Sequence, residues 1–221
     1  GHHSLALRSD GTLVGWGNNT YGQSTPAGLS DAVAIAAGEF HSLALRTDGS
    51  ILAWGRDNTG QVSGAPSGND FVAIAAGSYF GLALRTDGSI VGWGANYLGQ
   101  ASPPAGLDFV AIAAGAEQGL ALREDGSIAA WGNPSNIAGA PVGTGFVAVT
   151  TGYHHSAALR ADGSIVHFGE TAGPAPAGKD GRNVSAGAAY DAKRGLIWAT
   201  DADGQIYVLR LDAASVARKH L

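Results

Sequence analysis

Neither cysteine nor methionine occurs among the 221 residues of this chain. Without thiols there are no disulfides, no thiolate metal ligands and no cysteine nucleophile, and the compartment is not fixed, because a closed fold needs no covalent staples in either redox environment. Without methionine, Gly1 is not a translation start, so any targeting segment is expected upstream of it. Charge is scarce as well. Only 14% of residues are Asp, Glu, Lys or Arg, with 13 basic against 18 acidic and a net charge of -5. With no Lys/Arg run, the chain has no electrostatic footprint for nucleic acid or an anionic membrane. No apolar stretch approaches the roughly 18 residues that a membrane span needs. A nucleophile elbow, a P-loop and a metalloprotease histidine pair are all missing.

What the chain has in abundance is glycine, 35 residues without a collagen period, and a repeat. Asp-Gly pairs mark it: Asp10-Gly11, Asp48-Gly49, Asp87-Gly88, Asp125-Gly126, Asp162-Gly163 and Asp203-Gly204, at separations of 38, 39, 38, 37 and 41 residues. A period in that range means a solenoid, a propeller or an array of small modules. The predicted organisation is one domain over 1–221. Its units lie at roughly 1–32, 33–71, 72–109, 110–146, 147–183 and 184–212, and 213–221 form a tail that closes the ring by completing the first unit.

In the second copy, Val33 to Gly38 is a short run of small and β-branched residues, and Ser42 to Arg46 follows three residues later. Asp48-Gly49 then joins Ser42–Arg46 to Ile51–Trp54, and Asp-Gly between two such runs is a strong hairpin signal. No helical period appears between Gly1 and Val208. Each unit is therefore predicted to hold three antiparallel strands of about five residues, too few to be stable alone. Leu43 and Leu45 point to one side of their strand and Ala44 to the other, so both faces of each sheet are apolar. Sheets buried on both faces suit propeller blades. The predicted fold is an all-β propeller, six blades of three antiparallel strands each, with a fragment of a seven-bladed ring as the alternative. Parity then puts the Gly-x-x-His loops and the Trp-Gly-Asn loops on one face, the variable face, and every Asp-Gly turn on the opposite hairpin face.

The string Val-Ala-Ile-Ala-Ala-Gly-x-x-His-Ser-Leu-Ala-Leu-Arg-x-Asp-Gly-x-Ile-x-x-Trp-Gly-x-Asn-x-x-Gly-Gln, nearly whole at 33–61 and 72–100, resembles the regulator of chromosome condensation repeat family. The short unit is similar in length to that of the propeller-type bacterial β-lactamase inhibitory proteins, secreted rings of three-stranded blades. In those inhibitors aromatic and acidic loop residues of one face grip the partner enzyme. The resemblance implies a bacterial, secreted or cell-surface, inhibitor-like binding module.

The residues of the chain itself also direct attention to the variable face. The three residues after each Ala-Gly run through Glu-Phe-His, Ser-Tyr-Phe and Ala-Glu-Gln, while the strands barely change. The predicted partner-binding residues are Tyr21, Glu39, Phe40, His41, Asp57, Tyr79, Phe80, Asn96, Tyr97, Glu117, Tyr153 and His154. Tyrosine and phenylalanine in rigid loops are the side chains that anchor protein interfaces. The expected partner is a protein, with a carbohydrate as the alternative because aromatics and Asn also suit sugars; no cofactor and no enzyme activity are expected.

Several sharper readings lose to plainer ones. His3, His41 and His155 share one repeat position and could converge on a metal, but a histidine there is the ordinary residue of the repeat and reads as structural. Trp16, Trp54, Trp93 and Trp131 read as packing between blades, and the Gly-Gln pairs as loop scaffolding. Each Arg two residues before an Asp-Gly turn reads as half of a self-neutralising rim. Asp201-Ala-Asp203-Gly204 resembles the opening of a calcium loop, yet without the later ligands it reads as a longer hairpin turn.

Overall fold

Alternation of small and branched apolar residues broken by Asp-Gly turns becomes, in the computed structural model, a series of short antiparallel sheets. The structure describes residues 2–26 and 28–169, and the backbone of 188–191, 196–200 and 206–210. The chain divides into two compact units, residues 1–170 and 171–221. The first unit opens with a two-stranded sheet, β1 (His3–Leu7) and β2 (Leu13–Gly17). Four three-stranded sheets follow: β3 (Ala32–Ala37), β4 (His41–Arg46) and β5 (Ile51–Gly55); β6 (Phe71–Ala76), β7 (Phe80–Arg85) and β8 (Ile90–Gly94); β9 (Phe109–Ala114), β10 (Gln118–Arg123) and β11 (Ile128–Gly132); β12 (Phe146–Thr151), β13 (His155–Arg160) and β14 (Ile165–Gly169). The second unit holds β15 (Ala188–Asp191), β16 (Leu196–Thr200) and β17 (Ile206–Arg210), again antiparallel and in chain order. The expected closing tail, 213–221, lies outside the described residues.

The fold is all-β, and its sheets are blades of the propeller type, of which the described residues form a part. In the first unit the first strands of successive sheets, β3, β6, β9 and β12, lie against one another. They mark the side toward which the blades converge. The core therefore sits between blades. Leu43 and Leu45 of one sheet pack with Phe71, Ala83 and Trp93 of the next. Phe80, Leu82 and Leu84 pack with Phe109, Ala121 and Trp131, and Leu120 and Leu122 with Phe146, Val149 and Phe168. At about 1.5–3 kcal/mol for each large side chain removed from water, it is stacking that makes these small sheets stable.

The first four Asp-Gly turns are each fixed in two ways. The aspartate accepts from the backbone N–H of the residue two places on, as Asp48 does from Ser50 at 2.9 Å and Asp87 from Ser89 at 2.9 Å. The glycine, at φ +81° in Gly49, offers its carbonyl to the next blade: Phe71 N–H donates to Gly49 O at 3.2 Å, and Phe109 N–H to Gly88 O at 3.2 Å. The arginines of the hairpin face do not pair with the aspartates two residues on, as the rim reading expects. Their partners lie fifteen residues earlier: Arg46 with Asp31 at 2.7 Å, Arg85 with Asp70 at 2.5 Å, and Arg123 with Asp108. The turn aspartates are occupied by their own turns, which is why the guanidinium reaches elsewhere.

One departure from the all-strand expectation is a single helical turn, α1 (Pro134–Ile137), after Trp131-Gly132. Asn133 caps it by accepting from Ser135 N–H at 3.0 Å, and Pro134 takes the first helical position, where its missing N–H costs nothing.

At the opposite end of the blades, Gly38, Gly77, Gly115 and Gly152 close the first strands. A Cβ on Gly77 would stand 2.7 Å from Gly115 O and 2.0 Å from the Phe80 ring. Gly77→Ala is expected to destabilise the fold by about 3 kcal/mol through overpacking. Gly60→Ala, at φ +79° but with nothing within 4 Å of the added carbon, should cost about 1 kcal/mol for the left-handed backbone alone. Urea midpoints of the two variants decide it; equal losses would refute the close approach of the blades.

Candidate functional site

Register fixes which loops share a face. In the second blade His41 pairs with Gly55 and Leu45 with Ile51, so the loop before β4 and the loop after β5 leave the same end of the sheet. Backbone bonds tie these two loops together in each blade: Arg56 N–H donates to Phe40 O at 2.9 Å, Ala95 N–H to Tyr79 O at 2.8 Å, and Asn133 N–H to Glu117 O at 2.8 Å. The same end carries the aromatics.

Three of them form a ladder across three blades. Tyr21 meets Phe40 edge-on at 5.9 Å between centroids, and Phe40 meets Tyr79 at 5.4 Å with the rings tilted by 34°. The guanidinium of Arg56 lies over all three, 4.9 Å from the Tyr21 centroid, 5.3 Å from Phe40 and 5.7 Å from Tyr79. Aromatic pairs of this kind contribute about 0.5–1.5 kcal/mol each, and a cation over an exposed ring about 0.5–1 kcal/mol. The rings are thus held in place while Tyr21 keeps 43% of its surface exposed.

A second group sits in the loops of the fourth and fifth blades. Tyr153, 41% exposed, meets His154 edge-on at 4.4 Å. Its carbonyl accepts from Ala116 N–H at 3.3 Å, which places Tyr153 beside Glu117. Burial raises the Tyr153 phenol above its ordinary value, and the carboxylates of Glu39 and Glu117 add to the rise. Tyr79 is raised by burial first and then by Glu39, with Arg56 opposing. Glu39 comes from the second blade and Glu117 from the fourth, so convergence of the first strands brings loops of non-adjacent blades within electrostatic reach. Glu117 Oε2 accepts from Asn133 Nδ2 at 2.7 Å, while Glu39 Oε2 is buried without a hydrogen-bond partner.

The structure does not gather all the predicted binding residues. His41 and Phe80 are fully buried and cannot present themselves to a partner. Their rings fold back beneath Gly38 and Gly77, filling the space that a Cβ there would take. Asp57 spends its Oδ1 on Val62 N–H and Ser63 N–H, at 2.9 and 3.0 Å. Asn96 accepts from Ala101 N–H at 3.0 Å and donates to Ser102 Oγ at 2.8 Å. Both brace their loops, the role that short polar side chains play in turns. Tyr97 is 81% exposed and, among the described residues, makes no ring contact with the ladder. Tyr21, Glu39, Phe40, Tyr79, Glu117, Tyr153 and His154 lie in the loops at this end of the blades and are not spent in this way.

Arg56, which shares its loop with Asp57 but is not among the predicted binding residues, takes part as well. Its signal was an arginine at a position that holds Asn18, Ala95 and Asn133 in other copies. The histidines take structural places: His3 Nε2 lies 2.8 Å from Ser42 Oγ of the next blade, and His41 has no exposed surface. Gln23, Gln61 and Gln100 are buried scaffolds whose carbonyls accept from the indoles of Trp54, Trp93 and Trp131 at 3.0, 3.1 and 2.9 Å. No helix among the described residues is long and apolar enough to cross a membrane.

Short three-stranded blades stacked through their first strands define a propeller-type repeat protein. Residues 1–23, 32–61 and 71–100 match the regulator of chromosome condensation (RCC1) repeat. Solved structures share the fold. The chain is similar to the ectodomain of the Physcomitrella patens receptor kinase CR4 (TM-score 0.66, 26% identity over 78% of this chain and 51% of that one). It is similar to the CRINKLY WD40 ectodomain of the Arabidopsis thaliana receptor kinase ACR4 (0.63, 24%, 76% and 62%). It also resembles Prp20p of Saccharomyces cerevisiae (0.66, 17%, 90% and 70%). This chain thus spans between half and two thirds of the length of the two receptor ectodomains. Among curated proteins none matches it.

Burial lowers the pKa of His41 from 6.5 to about 4, with the charge of His3 adding to the effect. Below pH 6.5 the unfolded chain binds a proton at this residue that the folded chain refuses. Stability should therefore fall as pH drops from about 6.5 toward 4, by on the order of 3 kcal/mol at the lower end. His41→Phe, which copies the residue type of Phe80 at the equivalent position, should flatten that slope in pH-dependent denaturant unfolding. A slope unchanged by the substitution would show that His41 titrates normally.

Proposed function

We propose that the protein is a non-enzymatic interaction scaffold that binds another protein with its variable face, acting as an adaptor or inhibitor-like module. The observation that carries this reading is the ladder of Tyr21, Phe40 and Tyr79 held beneath Arg56. Rings fixed before binding lose little entropy on contact, and large aromatics at the centre of a patch supply most of the energy of a typical interface. Related repeats support the reading. Prp20p is described by its binding to Gsp1p and histones, and the yeast RCC1 protein Prp20 in complex with Kap60.

An enzyme would need titratable groups converging in a deep pocket with a nucleophile or a base of matched pKa. The carboxylates of this face, Glu39 and Glu117, are set among tyrosines on a loop surface, an arrangement suited to recognition. The carbohydrate reading counted on loop asparagines as well as aromatics. Asn19 and Asn96 have committed their amides to the loops: Asn19 Oδ1 accepts from Ser24 N–H and its Nδ2 donates to Thr25 Oγ1, as Asn96 does with Ala101 and Ser102. That favours a protein partner.

The test is capture of partners on the immobilised chain, in parallel with a Tyr21→Ala/Tyr79→Ala variant and an Arg46→Ala variant. The aromatic pair should cost on the order of 2 kcal/mol or more in affinity for the captured protein by calorimetry, with an unchanged fold by circular dichroism. Arg46→Ala, on the hairpin face and engaged with Asp31, should leave binding unchanged. Loss of binding by Arg46→Ala with the aromatic variant unaffected would place the interface on the wrong face.

A further inference from the structure

Guanidinium groups lie over aromatic rings at both ends of the blades, but they are completed by a counter-charge at only one end. On the hairpin face Arg85 covers Phe71 at 4.8 Å and donates to Asp70, and Arg123 covers Phe109 at 4.3 Å and donates to Asp108. Ring, guanidinium and carboxylate form one unit there: the ring takes the flat face of the guanidinium and the carboxylate takes its N–H edge. Arg160 lies over Phe146 at 5.2 Å with Gly145 in place of that aspartate, and it is exposed to water. Arg56 on the variable face is different. It is half-buried, with its guanidinium 4.9–5.7 Å from the centroids of Tyr21, Phe40 and Tyr79, yet among the described residues no carboxylate pairs with it. The two nearest in sequence are engaged otherwise or stand apart: Asp57 gives its Oδ1 to Val62 and Ser63 N–H, and Glu39, next to Phe40, forms no ion pair. The rings hold a guanidinium in place whose fork of N–H donors is spent on no acceptor among the described residues.

We propose that Arg56 receives an aspartate or glutamate side chain of the protein partner, and that the partner's neighbouring residue packs on the exposed surface of Tyr21. The proposal rests on the reading of this face as a protein-binding surface and names the chemistry that the partner must bring. Charge complementarity selects the occupant. A lysine or arginine would be repelled by Arg56, and a neutral acceptor would form a bond about half as strong as a carboxylate does. Phosphate fits a guanidinium as well, but it carries up to two charges, and a chain of net charge -5 without a Lys/Arg run opposes it more than it opposes a single carboxylate. The hairpin face shows the same chemistry already assembled within the chain: a ring-held arginine there is completed by Asp70 or Asp108. Since the rings fix Arg56 beforehand, little side-chain entropy is lost when the carboxylate arrives.

Panning a random displayed peptide library against the full chain, followed by fluorescence anisotropy with the selected peptides, tests this. Selected sequences should share an aspartate or glutamate beside an apolar residue. Replacing that acid by asparagine or glutamine should weaken binding about tenfold or more. Arg56→Gln should weaken the original peptide to a similar extent and the neutral peptide much less, the coupling expected of two groups in contact. The peptide change leaves the protein untouched, so the result stands even if Arg56→Gln loosens the rings. Peptides that lose binding to the Tyr21→Ala/Tyr79→Ala variant, yet bind equally once the acid is neutralised, would overturn the carboxylate proposal and leave the scaffold reading intact. Displacement of the peptide by inorganic phosphate, but not by sodium chloride at the same ionic strength, would overturn it in favour of a phosphate group. Failure to select any peptide, or binding indifferent to the ring changes and to Arg56→Gln, would overturn both.

Discussion

Blades of this protein approach one another at their first strands so closely that no side chain fits between them. Gly38, Gly77, Gly115 and Gly152 stand at that point, and a Cβ on any of the first three would meet the carbonyl of the next glycine at 2.5–2.7 Å. Space beneath each glycine is filled by the residue three places on: His41, Phe80, Gln118 and His155. Imidazole, phenyl and carboxamide have little chemistry in common. They are all flat, and flatness is what the space requires. The same convergence delivers the loops that follow the glycines to a common centre, so that Glu39 and Tyr153, more than a hundred positions apart in the chain, act on each other electrostatically. The candidate surface exists because the strands beneath it have no side chains at their ends.

Stacking also requires that loop polarity be settled internally. A buried glutamine without partners would cost more than it contributes. Gln23 avoids this by accepting from Tyr21 N–H and donating to Asn18, and Gln61 by accepting from Thr59 and donating to Asn58. Folding of each loop in this way leaves the glutamine carbonyl pointing at the next blade, where a tryptophan indole donates to it. In the second blade Ser42 Oγ donates to the same carbonyl. In the third and fourth, Gly81 and Gly119 replace that serine, and the ring of Trp93 or Trp131 lies over the bare backbone. Loop and interface are one hydrogen-bonded unit, which is why the Gly-Gln and Trp-Gly pairs recur together.

The repeat made the strands and turns legible, because period-2 alternation and Asp-Gly turns are local signals. Strand ends in the second blade came within a residue of those found. Parity alone separated the two faces. Burial within the loops was not legible: Phe40 and Phe80 both look like interface aromatics in sequence, yet one joins the ladder and the other fills the space under a glycine. Their offset of one place, Glu-Phe-His against Ser-Tyr-Phe, is the distinction, and it has meaning only once the third position is known to point inward. The loop bracing by Asp57 and Asn96 was not legible for a related reason. A polar side chain in a loop serves the loop first, and sequence does not show the N–H groups it faces. Partners of the hairpin arginines were missed because the nearest aspartate in sequence is engaged by its own turn.

These constraints explain why variation concentrates where it does. On the hairpin face Gly11, Gly49, Gly88 and Gly126 bind the following blade through their carbonyls, while Arg46, Arg85 and Arg123 each pair with an aspartate just before the first strand of their own blade. On the variable face the backbone is equally fixed, and the first residue after the glycine is buried in two copies, Ser78 and Ala116, but the second, Phe40, Tyr79 or Glu117, is only partly buried. The side chain at that second position differs from copy to copy. The arginine that the second copy carries after Trp54-Gly55 lies over three rings from three blades.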